Sequence, residues 1–221
     1  MISPPPGARL RALVHIDRMG PQYAAYWALM AQGSLPLAEM SQLLIEVAPS
    51  SLVFRVGDAA FKACAVQSAG TLVERDFGLV ELHADRTDTI LEARDAVLRV
   101  LGLSLGDRQA PEVVSTQRIG ALDAYHSHLF NRVRRGAWTL PGDTLYIVEV
   151  TPAGYAYLIA NEVEKATGME LVRVAGTGLF GRVITAGTES QAEVAERITS
   201  QVIARVASEA AAPSPAFKGV D

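Results

Sequence analysis

The sequence predicts two tandem α/β domains, each an α+β sandwich of ferredoxin-like type with helices packed on a mixed sheet. Three observations support this fold class. The 221 residues are 49% hydrophobic, which suits one large domain or two of about 100 residues each. Short β-rich runs alternate with amphipathic helical runs along the chain. Finally, the second half of the sequence repeats the first half at a constant offset.

The repeat becomes visible when the sequence is shifted by 103 residues. Without any gap, EVAP at 46–49 meets EVTP at 149–152, KA at 62–63 meets KA at 165–166, and FG at 77–78 meets FG at 180–181. Two diverged copies of one domain explain these matches better than chance. We therefore expect a flexible N-terminal segment at residues 1–9, a first domain at 10–106, a second domain at 107–207 and a flexible tail at 208–221.

The elements of the first copy follow from its periodicity. A strand in LRALVHID precedes an apolar helix in PQYAAYWALMAQG, and a strand in QLLIEV precedes a helix in VFRVGDAAFKACAV. Two apolar runs around a polar turn, TLVERDFGLVEL, predict a hairpin. The run DTILEARDAVLRVLG predicts an amphipathic helix with Thr87 or Asp88 as its N-cap.

The second copy repeats this order. PEVVSTQRI and TLYIVEV predict strands, and DAYHSHLFNRV and YAYLIANEVEKATGM predict the helices that follow them. ELVRVAGTGLFGRVITA contains two apolar runs around a glycine-rich centre, and SQAEVAERITSQVIARV predicts a closing helix with Ser190 as its N-cap. Between the copies, LSLGDRQAP is turn-rich and predicts a linker at 103–111.

Composition excludes several classes of protein. A net charge of −4 and a pI near 5.6 offer no general attraction to phosphate backbones, so nucleic acid is not an expected partner. No apolar run reaches the roughly 20 residues that span a bilayer, and the N-terminus lacks the apolar stretch of a secretion signal. We expect a soluble, cytoplasmic protein with no membrane contact.

Metal and catalytic chemistry find little support. Cys64, the single cysteine, cannot form a disulfide within one chain, and its helical surroundings indicate a small core residue. His126 and His128 stand two apart on a predicted helix and therefore point to different faces. No third ligand is evident, and no nucleophile stands with a base. We expect neither a metal site, nor a cofactor, nor an enzyme.

The stretch VAGTGLFGRV matches the dinucleotide-binding fingerprint at Gly176, Gly178 and Gly181. In a nucleotide-binding fold, such a loop opens a helix whose N-terminal amides hold the pyrophosphate. Here the β-branched run RVITA follows Gly181, and the next helix begins only near Ser190. The aligned loop of the first copy also carries Glu74, which a phosphate cradle would not be expected to contain. We therefore reject NAD, FAD or ATP binding at this loop.

Three stretches carry a family resemblance: EVAPSSLVFRVGDAAFKA, TLVERDFG and EVTPAGYAYLIANEVEKA. With them, the sequence resembles the tandem-domain shell proteins of bacterial microcompartments. Within that family it is most similar to the circularly permuted, gated type known from carboxysome shells. Permutation is also visible in the chain itself, because each copy begins with the strand and helix that end the unpermuted domain.

The resemblance implies an assembly and a set of partners. Such proteins form homotrimers in which six domains imitate a hexagonal tile, and two trimers of the gated type can stack face to face. The tiles join other shell proteins, namely hexameric tiles and pentameric vertices, and small metabolites cross the tile through a central pore. We accordingly expect a structural protein of a microcompartment shell in the cytoplasm.

The resemblance also implies roles for residues of the pore. It places the turn with Glu74 and Arg75 at the three-fold axis, where gated relatives carry the same pair. Thr177 and Gly178 would then occupy the alternating loops around that axis. The remaining predicted pore residues are Phe77, Gly78, Phe180 and Gly181. The two phenylalanines would pack behind these loops. The glycines, with Gly176, would let the backbone approach the axis closely and adopt a left-handed conformation.

The resemblance further implies that Lys62 and Lys165 lie at the tile edge, where each packs its long apolar stem against its counterpart in a neighbouring tile. Two other functions stay open at this stage. One is a purely architectural tile without gating, and the other is a small-ligand-binding regulatory module, which the glycine-rich loop weakly favours. Loop placement separates them, because a pore requires both loops on one symmetry axis.

Overall fold

The computed structural model describes residues 7–210, which form two domains of the same architecture. The first domain contains four strands and three helices: β1 (Arg9–Ile16), α1 (Pro21–Ala28), β2 (Ser41–Ala48), α2 (Leu52–Ala63), β3 (Gln67–Glu74), β4 (Phe77–Ala84) and α3 (Thr87–Leu101). A 3₁₀ turn at Leu105–Asp107 leads into the second domain: β5 (Glu112–Ile119), α4 (Ala124–Val133), β6 (Thr144–Thr151), α5 (Tyr155–Thr167), β7 (Glu170–Ala175), β8 (Gly181–Gly187) and α6 (Glu189–Glu209).

The duplication predicted from the sequence is confirmed. Strands β1 and β5 begin and end 103 residues apart, and so do β2 and β6. An irregularity repeats as well, because the register shifts between Leu10 and Ala12 in β1 and between Val113 and Ser115 in β5. Each residue of the first domain therefore has an equivalent in the second, found by adding 103 to its number.

Both sheets are fully antiparallel, so the prediction of mixed sheets is wrong. Their strand orders are β1-β2-β4-β3 and β5-β6-β8-β7. Helix α2 does connect two strands that run in the same direction, β2 and β3. However, β4 lies between them and pairs antiparallel with both, so the parallel strands never become neighbours. This split β-α-β unit agrees with the predicted ferredoxin-like class.

Two helix caps differ from the predicted ones. Helix α3 follows Arg86, whose side chain makes no capping hydrogen bond, so neither Thr87 nor Asp88 is the N-cap. Helix α6 begins two residues earlier than expected, after Thr188 and not after Ser190. Thr188 forms a reciprocal capping box with the side chain three residues later.

The predicted flexible ends fall mostly on residues 1–6 and 211–221, outside the described residues. The elements next to them are longer than expected. Strand β1 already includes Arg9, and α6 extends to Glu209. Between residues 7 and 210, no helix is both long and apolar enough to cross a bilayer.

The sheet of the first domain is covered on both faces. Helices α2 and α3 bury one face through a cluster that includes Ile45 and Val80, and the half-buried Cys64 packs against it. The other face, with Val14 and Leu44, joins a cluster that continues through α1 into α5 and α6 of the second domain. The two domains therefore share one core.

The sheet of the second domain is covered less completely. Helices α5 and α6 bury one face, which includes Tyr146 and Val148. The other face carries a small cluster with Leu145 and Ile184, where α4 packs. On the edge strand β5, Val114 stays 44% exposed. The second domain thus presents a face to solvent that the first domain keeps buried.

Helix α1 joins the two domains. Its first amides, on Gln22 and Tyr23, each donate to the carboxylate of Glu164 in α5 at 2.8 Å. One turn later, the ring of Trp27 lies 4.6 Å from that of Tyr157. This combination of charge-assisted hydrogen bonds and aromatic packing fixes the second domain against the first.

Candidate pore site

The turn that carries Glu74 and Arg75 is a tight hairpin at one end of the first sheet. Glu74 closes β3 and pairs with Phe77 of β4, so the turn consists of Arg75 and Asp76. Arg75 has a left-handed φ of 50°, which is unusual for a residue with a side chain. Its side chain is 91% exposed, and its Nε lies 3.9 Å from Glu74 Oε1. An ion pair this exposed holds neither side chain firmly.

The loop between β7 and β8 contains the equivalent of this turn. Gly178 is the equivalent of Arg75 and shares its left-handed backbone, with a φ of 95°. Glycine adopts that conformation without a steric cost. Thr177 is half-buried, whereas Leu179 and Phe180 are exposed. The second loop therefore repeats the shape of the first without its charges.

The two turns are neighbours within the single chain. A Cβ atom placed on Gly178 would lie 3.7 Å from Cγ of Glu74. Two segments about 100 residues apart in the sequence are thus brought to the same end of the molecule. Glu74 and Arg75 remain on its solvent side, where a symmetry-related copy could approach them.

Two glycines of the predicted pore set have a packing role inside their own domains. A Cβ on Gly181 would lie 2.2 Å from the carbonyl oxygen of Ala153, and one on Gly78 would lie 2.5 Å from that of Ser50. These carbonyls stand just before helices α5 and α2. The reason for both glycines is therefore the close approach of a strand to its own helix, which differs from the expected crowding at an axis.

Gly176 has a similar explanation. A Cβ at this position would lie 2.1 Å from the ring of Tyr157, which is buried between the domains. Burial raises the pKa of Tyr157, so its hydroxyl stays neutral while it interacts with the backbone of Gly176. Of the three glycines in the motif, only Gly178 has a left-handed backbone. Tyr157 thereby holds the start of the second loop in place.

Beneath the first turn lies a buried ion pair that the sequence analysis missed. Arg11 Nε donates to Glu46 Oε1 at 2.7 Å, and the two side chains are 8% and 2% exposed. The guanidinium of Arg11 lies 3.7 Å from the centre of the Phe77 ring. Phe77 is thus packed behind the turn, whereas Phe180 is 44% exposed. The available sequence signal was Glu46, a charged residue inside an otherwise apolar strand.

The same carboxylate reaches the second domain. Glu46 Oε2 accepts a hydrogen bond of 2.7 Å from the backbone N–H of Gly154, the N-cap of α5. Burial raises the pKa of Glu46, while the charge of Arg11 and the hydrogen bonds from Arg11 and Gly154 act in the opposite direction. Glu46 therefore ties the sheet of one domain to a helix of the other, directly behind the two turns.

The glycine-rich loop and the histidines of α4 form neither a nucleotide site nor a metal site in the part of the chain that the structure describes. Strand β8 begins at Gly181, as the sequence analysis expected, and it pairs antiparallel with β7. The glycine-rich loop consequently opens a strand and no helix. His126 packs against Phe130 on α4. Within residues 7–210, no group of three or more His, Cys, Asp or Glu side chains is placed to hold a metal ion.

The two lysines lie at equivalent places in the last turns of α2 and α5. Lys62 Nζ lies 2.8 Å from Asp58, and both side chains are exposed. Lys165 is also exposed, and its ammonium donates to the carbonyl of Arg18 in the first domain. Their role at a tile edge stays a prediction.

Known proteins match the chain over most of its length. The model of the CsoS1D N-terminal domain matches residues 10–107. The carboxysome shell protein CcmP of Synechococcus elongatus is 42% identical over 183 residues, which are 83% of this chain and 86% of that protein. The carboxysome shell protein CsoS1D of Hydrogenovibrio crunogenus is 37% identical over 198 residues, covering 89% and 97%. The chain belongs to the tandem-domain carboxysome shell protein family.

Solved structures of shell proteins share the fold. The fused permuted hexameric shell protein MSM0275 from the RMM microcompartment has a TM-score of 0.87 at 36% identity, covering 90% of this chain and 98% of that one. The double ringed trimeric shell protein MSM0271 has a TM-score of 0.88 at 29% identity, covering 94% and 100%. This shell protein is a structural component of a bacterial microcompartment shell, and not an enzyme.

Proposed function

We propose that three copies of this shell protein close into a ring whose central pore is gated by Glu74 and Arg75. One observation carries the proposal. Within the chain, helix α1 of the first domain contacts helix α5 of the second. The equivalents of these two helices, α4 and α2, present the corresponding surfaces to solvent. Because the domains are equivalent, the second domain of one chain can dock on the first domain of the next, as the two domains do within a chain.

The first uncovered half is helix α4, the equivalent of α1. Helix α1 buries Tyr26 and Trp27 against the second domain, with 1% and 2% exposure. At the equivalent positions of α4, Leu129 is 44% exposed and Phe130 borders a shallow apolar hollow. Val133, one turn further, is 57% exposed. This apolar stripe has the composition of a protein interface.

The other uncovered half is helix α2, the equivalent of α5. Tyr157 of α5 is 2% exposed, whereas its equivalent Phe54 is 64% exposed. In the same way, Glu164 is buried between the domains and its equivalent Phe61 is 50% exposed. In a ring, these two phenylalanines would meet α4 of the adjacent chain as α5 meets α1. The uncovered halves complement each other because they are copies of surfaces that already fit.

A ring of three chains would bring six loops to one axis. Each chain contributes the turn with Glu74 and Arg75 and, next to it, the loop with Thr177 and Gly178. Charged and uncharged loops therefore alternate around the pore. A trimeric and a fused hexameric shell protein with the same fold support this arrangement.

The gate follows from the weakness of the ion pair. Three copies of Glu74 and Arg75 cannot all point to the axis without bringing like charges together. Exposed pairs contribute only about 0–1 kcal/mol each, so two arrangements of the turns differ by a few kcal/mol at most. In one arrangement the side chains cross the pore, and in the other they swing aside. The small Thr177 and Gly178 then leave the opening clear.

Pore width in variant rings tests the gate. The double variant Glu74→Ala/Arg75→Ala should form rings with an open pore in every copy, measured by electron cryo-microscopy. The matched control is Arg18→Ala/Glu39→Ala, which removes an exposed ion pair of 3.4 Å at the opposite end of the first sheet. This control should keep the wild-type distribution of widths. A double variant with a pore no wider than the narrowest wild-type pore would identify a purely architectural tile.

Beyond the ring, we propose contacts through Lys62 and Lys165 to other rings and to hexameric and pentameric shell proteins, and stacking of two rings. The support is the exposure of both ammonium-bearing side chains at equivalent helix ends. The variant Lys62→Ala/Lys165→Ala should lose extended sheets in electron micrographs, while light scattering still detects the ring. Sheets of unchanged extent would contradict the edge role.

A further inference from the structure

A cavity of about 270 Å³ lies between the two domains, and none of the residues that line it belongs to the pore loops. Strand β1, α3 and the linker contribute from one side, and α5 and α6 from the other. The volume accommodates about nine water molecules at ~30 Å³ each, or one small metabolite. The polar residues that line it are His15, Arg94, Arg108, Tyr155, Arg205 and Glu209.

The cavity contains more positive than negative charge. Arg108 is 6% exposed, and its Nη2 donates to Glu209 at 2.7 Å, but its buried Nε has no hydrogen-bond partner within residues 7–210. Arg94 pairs at 2.8 Å with Asp95, which does not line the cavity. Arg205 is exposed, and no carboxylate in the described part of the chain pairs with it. Three arginines and a single carboxylate residue, Glu209, thus line the cavity.

This charge is not a consequence of the duplication. The equivalents of Arg205 and Tyr155 are Gly102 and Leu52, and Arg108 belongs to the linker between the copies. The equivalent of Arg94 is Arg197, which does not line the cavity. The set of polar residues that lines the cavity is consequently not repeated in the other copy of the domain. Arg108 and Arg205 are therefore not required by the fold that both domains share.

We propose that this cavity binds a small oxyanion, the phosphate or carboxylate group of a metabolite, through Arg94, Arg108 and Arg205. An oxyanion would accept a hydrogen bond from the unpartnered Nε–H of Arg108 and would also neutralise the surplus charge. A water molecule would do only the first. Because the three arginines come from α3, the linker and α6, a bound anion would hold both domains together and raise the midpoint of thermal unfolding.

Titration calorimetry of the full chain with inorganic phosphate, and separately with acetate, tests this site at constant ionic strength in chloride. We expect one saturable site per chain with a Kd of about 1 mM or tighter for at least one anion. Arg94→Ala and Arg205→Ala should each raise that Kd about tenfold, which is the effect of losing one charge-assisted hydrogen bond. The matched control is Arg197→Ala, on the same helix as Arg205.

The two anions distinguish the source of the oxyanion. Binding of phosphate alone assigns the site to a phosphate group, and binding of acetate alone assigns it to a carboxylate. Equal affinities in Arg205→Ala and Arg197→Ala would overturn the proposal, since the anion would then bind elsewhere. The absence of saturable heat with either anion would overturn it as well. Arg94 and Arg205 lie outside the apolar surfaces of α2 and α4, so the outcome is independent of ring closure.

Discussion

Helices α1 and α4 occupy equivalent places in the two domains, yet their first turns are capped in different ways. Helix α1 follows Gly20, which has no capping side chain, and its amides bond to Glu164 of the other domain. Helix α4 follows Asp123, whose own Oδ1 accepts from the amides of Tyr125 and His126 at 2.8 and 3.3 Å. The equivalent of Glu164 is Phe61, which cannot cap a helix.

The difference shows how two copies of one contact have diverged. The contact within the chain is polar, and α1 cannot satisfy its first amides without the second domain. The copy offered to another chain is apolar, and α4 is already capped by Asp123. A separate chain therefore exposes an apolar surface there without unsatisfied amides at the start of α4. A contact that is always closed can depend on its partner for capping, whereas a contact formed between chains cannot.

The largest expected effect is on assembly. The substitution Leu129→Glu places a charge on the apolar stripe of α4 and should abolish the ring while leaving the chain folded. Light scattering should detect wild-type rings of about 71 kDa, three chains of 23.6 kDa, or stacked pairs of such rings, and single chains for the variant. Leu140→Glu, at an exposed site of the same domain, is the control and should keep the ring. If Leu129→Glu also keeps it, α4 does not form the contact.

The next effect compares two equivalent glutamates in the Leu129→Glu background, where assembly does not contribute. Glu46→Ala leaves the buried charge of Arg11 unpaired and should lower the free energy of unfolding by about 3–5 kcal/mol. Glu149→Ala removes a partly exposed pair with Arg182 and should cost about 0–1 kcal/mol. Urea denaturation measures both. Similar losses of unfolding free energy in the two variants would mean that Glu46 and Glu149 contribute equally to stability.

The third effect concerns the caps, again in single chains. Glu164→Ala leaves the buried amide of Tyr23 and the partly buried amide of Gln22 without an acceptor and should lower the free energy of unfolding by about 2–3 kcal/mol. Phe61→Ala removes a half-exposed ring and should cost about 0.5 kcal/mol or less. In the wild-type background, where rings form, Phe61→Ala should weaken the ring more than Glu164→Ala does, because only Phe61 belongs to the contact between chains. Denaturation and light scattering together give the four values.

The smallest effect is at the equivalent turn positions. Arg75→Gly removes the steric cost of a side chain at a left-handed φ, and this gain exceeds the backbone entropy that glycine adds to the unfolded chain. The variant should therefore have a free energy of unfolding about 0.5–1 kcal/mol higher than that of the wild type. Gly178→Ala should destabilise by about 1 kcal/mol for the opposite reason. Thermal unfolding resolves both. A destabilised Arg75→Gly variant would show that Arg75 supports the turn, and would remove the argument that the residue is present for the gate.

Much of the fold could be predicted because the duplication has no gaps. Periodicity indicated the strands and α-helices of each copy, the constant offset showed that the copies are equivalent, and the β-branched run after Gly181 identified a strand. The antiparallel order could not be predicted in the same way, because it depends on β4 entering between β2 and β3. Strand order of this kind depends on long-range pairing, and local periodicity carries no information about it.

The site was predictable only in part. Glu74 and Arg75 were found through a resemblance, and their closeness to Gly178 required the packing of the two domains. The partnership of Arg11 with Glu46 depends on an irregular register in β1, and that of Glu164 with α1 on residues 141 or more positions apart. Neither is visible in periodicity. The offset could nevertheless have indicated Arg11 and Glu164, because it aligns them with the apolar residues Val114 and Phe61.

The capping of α1 by Glu164 also sets an order of events during synthesis. Tyr23 precedes Glu164 by 141 residues, which a ribosome adding about 5–20 residues per second needs roughly 7–28 s to translate. Throughout that interval the first turn of α1 has no carboxylate, although the last strand of the first sheet is already translated at Ala84. Helix α4 emerges together with its own Asp123. The contacts of α1 are therefore completed only after α5 has been translated, so this helix of the first domain depends on a segment made long after it.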